Sequence, residues 1–463
     1  MPLFAGILLA LATGVQSPAA AMLASSDATQ IAAVRITNRI DIDKVWSGHP
    51  VGFALLTDAA RNLQYVAYYD ARRIMTVASR TLDSREWKRQ SLDSLVGWDS
   101  HNNITLALDR YGYLHVVGNL HVSPLVYFRT TRAGDISTLV RIPRMVGEGE
   151  RETLMTYPKF RTTSEGRLTF NYRDGRSGCG DTIYNVYDEA TRSWSRLLDR
   201  PLFDGQGRMN AYPLGPELGP DGWWHMTWVW RDNKNAETNH DLGYARSPDL
   251  VRWETNAGQP ITLPIRHATP GVTLDPVPVN GGILNGSGKV GFDKENRVLV
   301  IWHKFDANGN TQLYLGRSEN GNWRITQLTK WEYRWEPRGG GSISTDVRHS
   351  EPRYDPKVGF YVATNHVKYG NAIWGLNLDS FSLGKRISVN HLSNQLPNEL
   401  SAITTPYEGM QRRMSEDLGT PPSGKRYILR WETLPPNRDQ PRRGQHPSPS
   451  TIELVELTLP RSP

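Results

Sequence analysis

A unit that recurs along the chain constrains the fold more than any other feature. Each copy opens on a turn carrying Asp or Gly, runs into an alternating apolar strand, and continues into a second strand that often ends in Arg-Ser or Arg-Thr. A further turn and a Trp-bearing strand close it. Asp109-Arg-Tyr-Gly-Tyr-Leu-His-Val-Val begins one copy and Val126-Tyr-Phe-Arg-Thr continues it. Ser164-Glu-Gly-Arg-Leu-Thr-Phe-Asn-Tyr begins another, which ends at Trp194. Pro220-Asp-Gly-Trp-Trp-His-Met-Thr-Trp leads to Trp253, and Asp293-Lys-Glu-Asn-Arg-Val-Leu-Val-Ile-Trp leads to Trp323. An earlier copy runs from Gln64 to Trp87.

The copies lie roughly 50–65 residues apart, the period of four-stranded propeller blades. Alternation of period two is clear and helical periodicity is nearly absent. The chain has 463 residues, with 41 Gly and 30 Pro to supply turns and 15 Trp and 19 Tyr to fill strands. The expected fold is all-β: a seven-bladed β-propeller of four-stranded antiparallel blades, spanning residues 27–463 as one domain. A β-sandwich with coincidental spacing is the competing arrangement. The last strand, Thr451 to Leu459, is expected to share a blade with N-terminal residues near Ile31 to Ile36. The Pro/Arg-rich stretch from Pro435 to Ser450 reads as a mobile loop.

Residues 1–21 read as a signal peptide. Leu3 to Val15 is an apolar run, and Ala19 and Ala21 give a small-x-small cleavage pattern. The run is short for a membrane span, so no stable membrane insertion is expected and the product should be secreted or periplasmic. A single cysteine, Cys179, allows no intrachain disulfide. The net charge of +7 suits a polyanionic partner, though an ordinary basic surface has the same balance. The basic residues form no run of the nucleic-acid-binding type, which argues against DNA or RNA.

Chemistry in a propeller is sought at strand-end loops. His101, in Trp98-Asp-Ser-His-Asn-Asn, and His121, ending Gly118-Asn-Leu-His, sit 20 residues apart at the mouth of one hairpin. Tyr157 opens the following blade. Arg173, in Asn171-Tyr-Arg-Asp-Gly-Arg, ends its partner strand 16 residues later. Alone, each residue has an ordinary reading: a hairpin histidine is often structural, and Arg173 can brace a Gly-rich loop. His115 alternates into a strand and reads as a packing residue. Asn102, Asn119, Arg176, Arg231, His240, His303 and Lys304 are candidate substrate-binding residues, with Trp faces nearby to stack on sugar rings. Trp228 reads as blade core. Cys179, His225 and His240 are a candidate structural metal set for zinc or calcium, although their spacing forms no compact ligand motif.

Asp99-Ser-His-Asn, Gly118-Asn-Leu-His, Tyr172-Arg-Asp-Gly-Arg-Ser-Gly and Asn239-His-Asp-Leu-Gly-Tyr-Ala-Arg-Ser resemble the BNR-repeat propeller group. That group includes ulvan lyases and enzymes acting on L-rhamnosyl-glucuronate linkages. The resemblance spans roughly residues 45 to 335. It implies a polysaccharide lyase that cleaves a rhamnose- and uronate-containing glycan by β-elimination. Arg173 would neutralise the uronate carboxylate, and His101, His121 and Tyr157 would share the acid–base work. No cofactor is required for that chemistry, and the expected partner is an acidic polysaccharide or oligosaccharide bound by a monomer. An α-L-rhamnosidase-type hydrolase and a non-catalytic carbohydrate-binding propeller are the alternatives. The first needs a pair of carboxylates at the bond, and the best rim acids, Asp174, Asp232 and Asp241, make no convincing pair.

Overall fold

The computed structural model describes residues 34–147, 149–392 and 395–459. The signal-peptide expectation falls outside them. Strands dominate and no α-helix occurs among the described residues; the helical pieces are short 3-10 turns. Among the described residues the strands form seven antiparallel sheets of at least four strands each.

The repeat seen in the sequence is a turn device. Asp109 Oδ1 accepts the backbone N–H groups of Tyr111 at 3.0 Å and Tyr113 at 2.9 Å, and Gly112 supplies φ 86° between them. Asp293 does the same for Glu295 at 3.1 Å and Arg297 at 2.8 Å. An aspartate that satisfies two turn amides reverses the chain and starts the next strand in register. The Ser-Pro-Asp-Leu turn works alike, with Ser247 Oγ accepting the Leu250 N–H at 2.8 Å.

The inner strands of several sheets are buried on both faces, Leu114–Val117 and Trp224–Arg231 throughout. Trp228, Trp302 and Trp431 are among the largest fully enclosed side chains. Trp228 lies 4.8 Å, centroid to centroid, from Phe203 of the preceding sheet. His115 is enclosed as well, its Nδ1 2.8 Å from the Tyr127 hydroxyl.

Neighbouring sheets touch in succession. Ala54–Asp58 lies beside Thr105–Leu108, which lies beside Met155–Thr162. Cys179–Asp188 lies beside Asn210–Leu218, and Trp224–Arg231 beside Lys289–Phe292. Val347 and Val362 of the following sheet share a core with Ile301 and Leu313. The first and last parts of the chain share one sheet: Arg35–Val45 pairs antiparallel with Ser450–Thr458, Ile36 facing Leu457. That sheet meets the next through parallel bridges from Leu55 to Asp417 and from Asp58 to Thr420.

The stretch expected to be a mobile loop is instead tied down at several points. Arg438 donates to the carbonyls of Arg338 and Gly340, and Arg442 to that of Gly48. The Tyr407 hydroxyl donates to the carbonyl of Gln445 at 2.7 Å.

A candidate active site at the strand ends

Asp99 organises the site. Its Oδ1 accepts the His101 backbone N–H at 2.8 Å, which folds the loop into an Asx turn, and lies 2.7 Å from His101 Nδ1. Its Oδ2 contacts His121 Nδ1. One carboxylate therefore faces the Nδ1 atoms of two histidines. With each Nδ1–H donating to Asp99, each neutral ring keeps its lone pair on Nε2. The rings stack 4.5 Å apart at 26°. Burial raises the Asp99 pKa, but the hydrogen bonds from His101 and His121 outweigh it and hold the carboxyl well below the usual range.

Tyr157 approaches His101 edge-on at 5.7 Å. It sits where the pairing of Met155–Thr162 with Leu168–Arg176 slips between Thr156 and Lys159. Its φ is 58°. A bulge of this kind re-aims one side chain out of the sheet pattern, and an aromatic residue in the left-handed region carries backbone strain. The Tyr157 hydroxyl has no hydrogen-bond partner among the described residues. Burial pushes its pKa up to about 12, although Arg173 and Arg231 pull the other way.

Arg173 is 4% exposed. Its Nη2 donates to Thr156 Oγ1 at 3.1 Å and its Nη1 reaches the Tyr212 hydroxyl at 3.5 Å. Its Nε is buried with no partner. Its guanidinium carbon lies 5.0 Å from the centre of the Tyr157 ring. No carboxylate among the described residues pairs with it. A buried cation without a counter-ion is costly to desolvate, so its persistence beside a cleft marks a place prepared for an anion. Gly180 makes the close approach possible, since a Cβ there would come within 3.1 Å of the Arg173 side chain.

Arg231 joins from the next sheet. Its Nη1 also reaches the Tyr212 hydroxyl, at 3.5 Å, and Ser177 Oγ lies 2.5 Å from that oxygen. Arg231 makes its other bonds to the carbonyls of Lys234 and Asn235. The two guanidiniums thus share one phenol. Below them opens a cleft of about 230 Å³, lined by His101, Tyr157, Lys159, Arg173, Tyr212 and Asn285 among others, and no Asp or Glu lines it.

The other expected site residues lie elsewhere. Asn102 is buried, and its carbonyl accepts the Tyr69 hydroxyl at 2.7 Å. Asn119, at φ 58°, donates to Ser94 Oγ and the Leu95 carbonyl, both at 3.0 Å, and braces the hairpin. Arg176 is exposed at the end of the strand Leu168–Arg176 that carries Arg173. Lys304 is held by Asp275 at 2.7 Å, which also accepts the Trp302 indole N–H. His303 is enclosed with both ring nitrogens unpartnered, beside Trp335 and His349. Burial, with His349 and Lys289 nearby, pushes its pKa down to about 3. His240 is engaged on both nitrogens, by Asp241 at 3.0 Å and Asp232 at 3.1 Å.

Cys179, His225 and His240 do not come together. Cys179 is exposed at a strand start. His225 is enclosed between the Tyr244 hydroxyl at 2.7 Å and Asp221 at 3.0 Å. His225 faces Arg246, whereas His240 faces Trp230 five positions further along the same strand, roughly 17 Å away. Among the described residues, two other groups bring three ligand atoms together: Asp99 with His101 and His121, and His240 with Asp241 and His267.

Tyr212, Thr156 and Ser177 were not singled out from the sequence. One signal was present. Tyr157-Pro158 and Tyr212-Pro213 stand at the third and fourth positions of Met155–Thr162 and Asn210–Leu218, strands of two successive sheets.

Comparison with known proteins follows the same direction. The model of a BNR repeat-containing family matches residues 63–331. The chain is 30% identical over 122 residues to the long isoform of an ulvan lyase from Alteromonas sp. (strain LOR), covering 24% of this chain and 12% of that protein. It is 28% identical over 148 residues to the long-isoform ulvan lyase of Pseudoalteromonas sp. (strain PLSV), covering 30% and 14%. The aligned stretches span only about an eighth of those relatives. A crystallised polysaccharide lyase superposes with a TM-score of 0.60 at 13% identity, covering 92% of this chain and all of the other. An ulvan lyase structure superposes with a TM-score of 0.58 at 12% identity, covering 90% and 95%. At these identities the likeness carries the fold.

Proposed function

This chain belongs to the BNR repeat-containing family, and from that premise we propose that it is a polysaccharide lyase of the ulvan-cleaving kind. Its substrate is a rhamnose- and uronate-containing acidic glycan, and its reaction is β-elimination at the uronate. The observation that carries this reading is the uncompensated guanidinium of Arg173, buried beside Tyr157 and the Asp99-held histidines.

The uronate carboxylate pairs with Arg173, with Arg231 adding positive potential behind Tyr212. Neutralising the carboxylate makes the adjacent C5 proton removable, because the developing enolate-like charge is stabilised. A histidine Nε2 lone pair takes that proton. The electron pair forms the C4–C5 double bond as the C4–O bond breaks. Tyr157, held in its protonated form across the neutral range, gives its proton to the leaving oxygen. A hydrolase reading has less support, because no carboxylate lines the cleft and Asp99 is occupied by both histidines.

The seven sheets of the described residues are read as the blades of a seven-bladed propeller, with residues 27–463 proposed as one domain. Residues 1–21 direct export, and the mature protein works as a secreted or periplasmic monomer. Among the described residues no helix is long and apolar enough to cross a membrane. His240, Asp241 and His267 bring three possible ligand atoms together, but Asp241 and Asp232 engage both His240 nitrogens, and no catalytic step passes through the group.

The test is incubation with ulvan and with rhamnosyl-glucuronate oligosaccharides. The expected products carry the ultraviolet absorbance of an unsaturated uronate, and their masses sum to the substrate without added water. Fragments that gain water with no new absorbance, or no cleavage at all, overturn the proposal.

A further inference from the structure

The segment between the strands Lys425–Thr433 and Ser450–Thr458 reaches back to the histidine loop. Arg438 and Asp439 both take left-handed backbone conformations, at φ 49° and 61°. For residues with a Cβ this is strained, and such strain persists where surrounding contacts over-determine it. Those contacts converge on the Asp439 carboxylate. Its Oδ1 accepts the Ser100 backbone N–H at 3.1 Å, Ser100 Oγ at 2.7 Å and Ser342 Oγ at 2.8 Å. Its Oδ2 accepts the Ser342 backbone N–H at 2.9 Å. The two serine hydroxyls also contact each other. One side chain, 10% exposed, thereby joins three distant parts of the chain.

Ser100 lies between Asp99 and His101. The same Asp439 Oδ2 stands 3.7 Å from His101 Nδ1, on which Asp99 Oδ1 closes at 2.7 Å. His101 is therefore flanked by two carboxylates, by the stacked ring of His121 and by the edge of Tyr157. Asp99 alone can choose the face of the imidazole that carries a proton. It ties the loop to His121, and Asn102 and Asn103 tie the end of the loop to Tyr69 and Gly52, whereas Asp439 holds its middle, at Ser100, to the segments carrying Ser342 and Asp439 itself.

We propose that Asp439 is a positioning residue for the site: it clamps the loop of residues 98–103 so that His101 stays stacked on His121 with Nε2 directed at the cleft. The role rests on the reading of His101 as part of the elimination machinery. Asp439 does not touch substrate. It acts through Ser100, and the return of the chain to the last sheet is what brings it there.

The experiment uses the full-length protein with Asp439→Asn and Asp439→Ala. Asn keeps the side-chain volume and one acceptor, so it remains informative if the Ala variant does not fold. The first readout is the ring Cε1–H resonance of His101, assigned by its loss in His101→Gln. This readout requires no turnover. In both variants the resonance is expected to move, because the ring leaves the ring-current field of His121, while resonances of enclosed histidines such as His115 stay in place. The second readout is the split between kcat and KM on ulvan: kcat is expected to fall about tenfold or more with KM within about twofold, the pattern of a misplaced catalytic group rather than lost binding. Asp439→Glu is expected to recover part of kcat. An unmoved His101 resonance overturns the proposal, as does an unchanged kcat in a variant of an active enzyme. Should the wild-type protein cleave no acidic glycan, the lyase reading fails, and the resonance alone still decides whether Asp439 positions His101.

Discussion

Replacing Arg173 by Met separates a catalytic guanidinium from a structural one. The variant keeps an unbranched apolar stem and removes the guanidinium with its charge and its donors. On the structural side, the losses are one hydrogen bond to Thr156 at 3.1 Å and a long contact to Tyr212 at 3.5 Å, together worth about 1–2 kcal/mol. Against this stands relief of a buried cation with no carboxylate partner and an unpaired Nε, a relief of similar size. The net change in stability is expected to lie within about 1 kcal/mol, a shift of a degree or two in Tm for a chain this long. On the catalytic side, the two Nη groups are the donors available to the uronate carboxylate. Losing such preorganised donors removes about 3–4 kcal/mol of transition-state stabilisation, or 10²–10³ in kcat. Arg173→Lys keeps the charge without the planar fork and is expected to fall between. The assay is the rate of unsaturated-uronate absorbance beside a thermal melt of the same preparation. A collapsed thermal transition would show that Arg173 braces the loop, and a kcat within tenfold of wild type in a folded variant would show that it does not meet the carboxylate.

Other outcomes follow from the same geometry. Tyr157→Phe is expected to lower kcat by about 10²–10⁴-fold with an unchanged melt, since the hydroxyl makes no hydrogen bond among the described residues; a melt lowered by many degrees would contradict this. Asp99→Asn, isosteric but uncharged, is expected to cost about 10²–10⁴-fold in kcat because the imidazoles lose their fixed Nδ1 partner, and full activity would dismiss Asp99 as their organiser. Acid stability should report on the enclosed histidines: burial pushes His303 and His349 down to about 3, below the unfolded value of 6.5. Above pH 6.5 neither form binds the proton and the pair leaves stability unchanged. As pH falls from 6.5 toward 3 only the unfolded chain gains protons, so stability is lost at about 1.4 kcal/mol per pH unit for each histidine. His303→Leu is expected to make that limb shallower in denaturant titrations at pH 7.5, 6 and 5, and an identical slope would refute the assignment.

The fold was legible because its repeat is written in turn chemistry. Asp109 and Asp293 announce strand starts by satisfying turn amides, and the alternating Trp-rich segments between turns can only be sheet interior. The pairing of the first and last strands was readable from two apolar runs at the chain ends, though its register was not, since several alignments bury the same faces. Within the site, His101, His121, Tyr157 and Arg173 could be anticipated from residue type at hairpin mouths. Lys304 and His303 lie near the same strand end by sequence, yet Asp275 captures one and the core encloses the other. Those partners come from other segments and leave no local trace. The same holds for Asp439, which is 339 positions from Ser100. Tyr212 is different, because the matching Tyr-Pro pairs were visible, and only the shared hydroxyl between two arginines needed three dimensions.

The most direct measurement is a crystal structure of the Tyr157→Phe variant soaked with an ulvan tetrasaccharide. The account expects a glucuronate carboxylate paired with both Nη groups of Arg173, its C5–H turned toward a histidine Nε2 and its glycosidic oxygen above residue 157. A sugar bound with its carboxylate away from Arg173, or lodged outside this cleft, would contradict it.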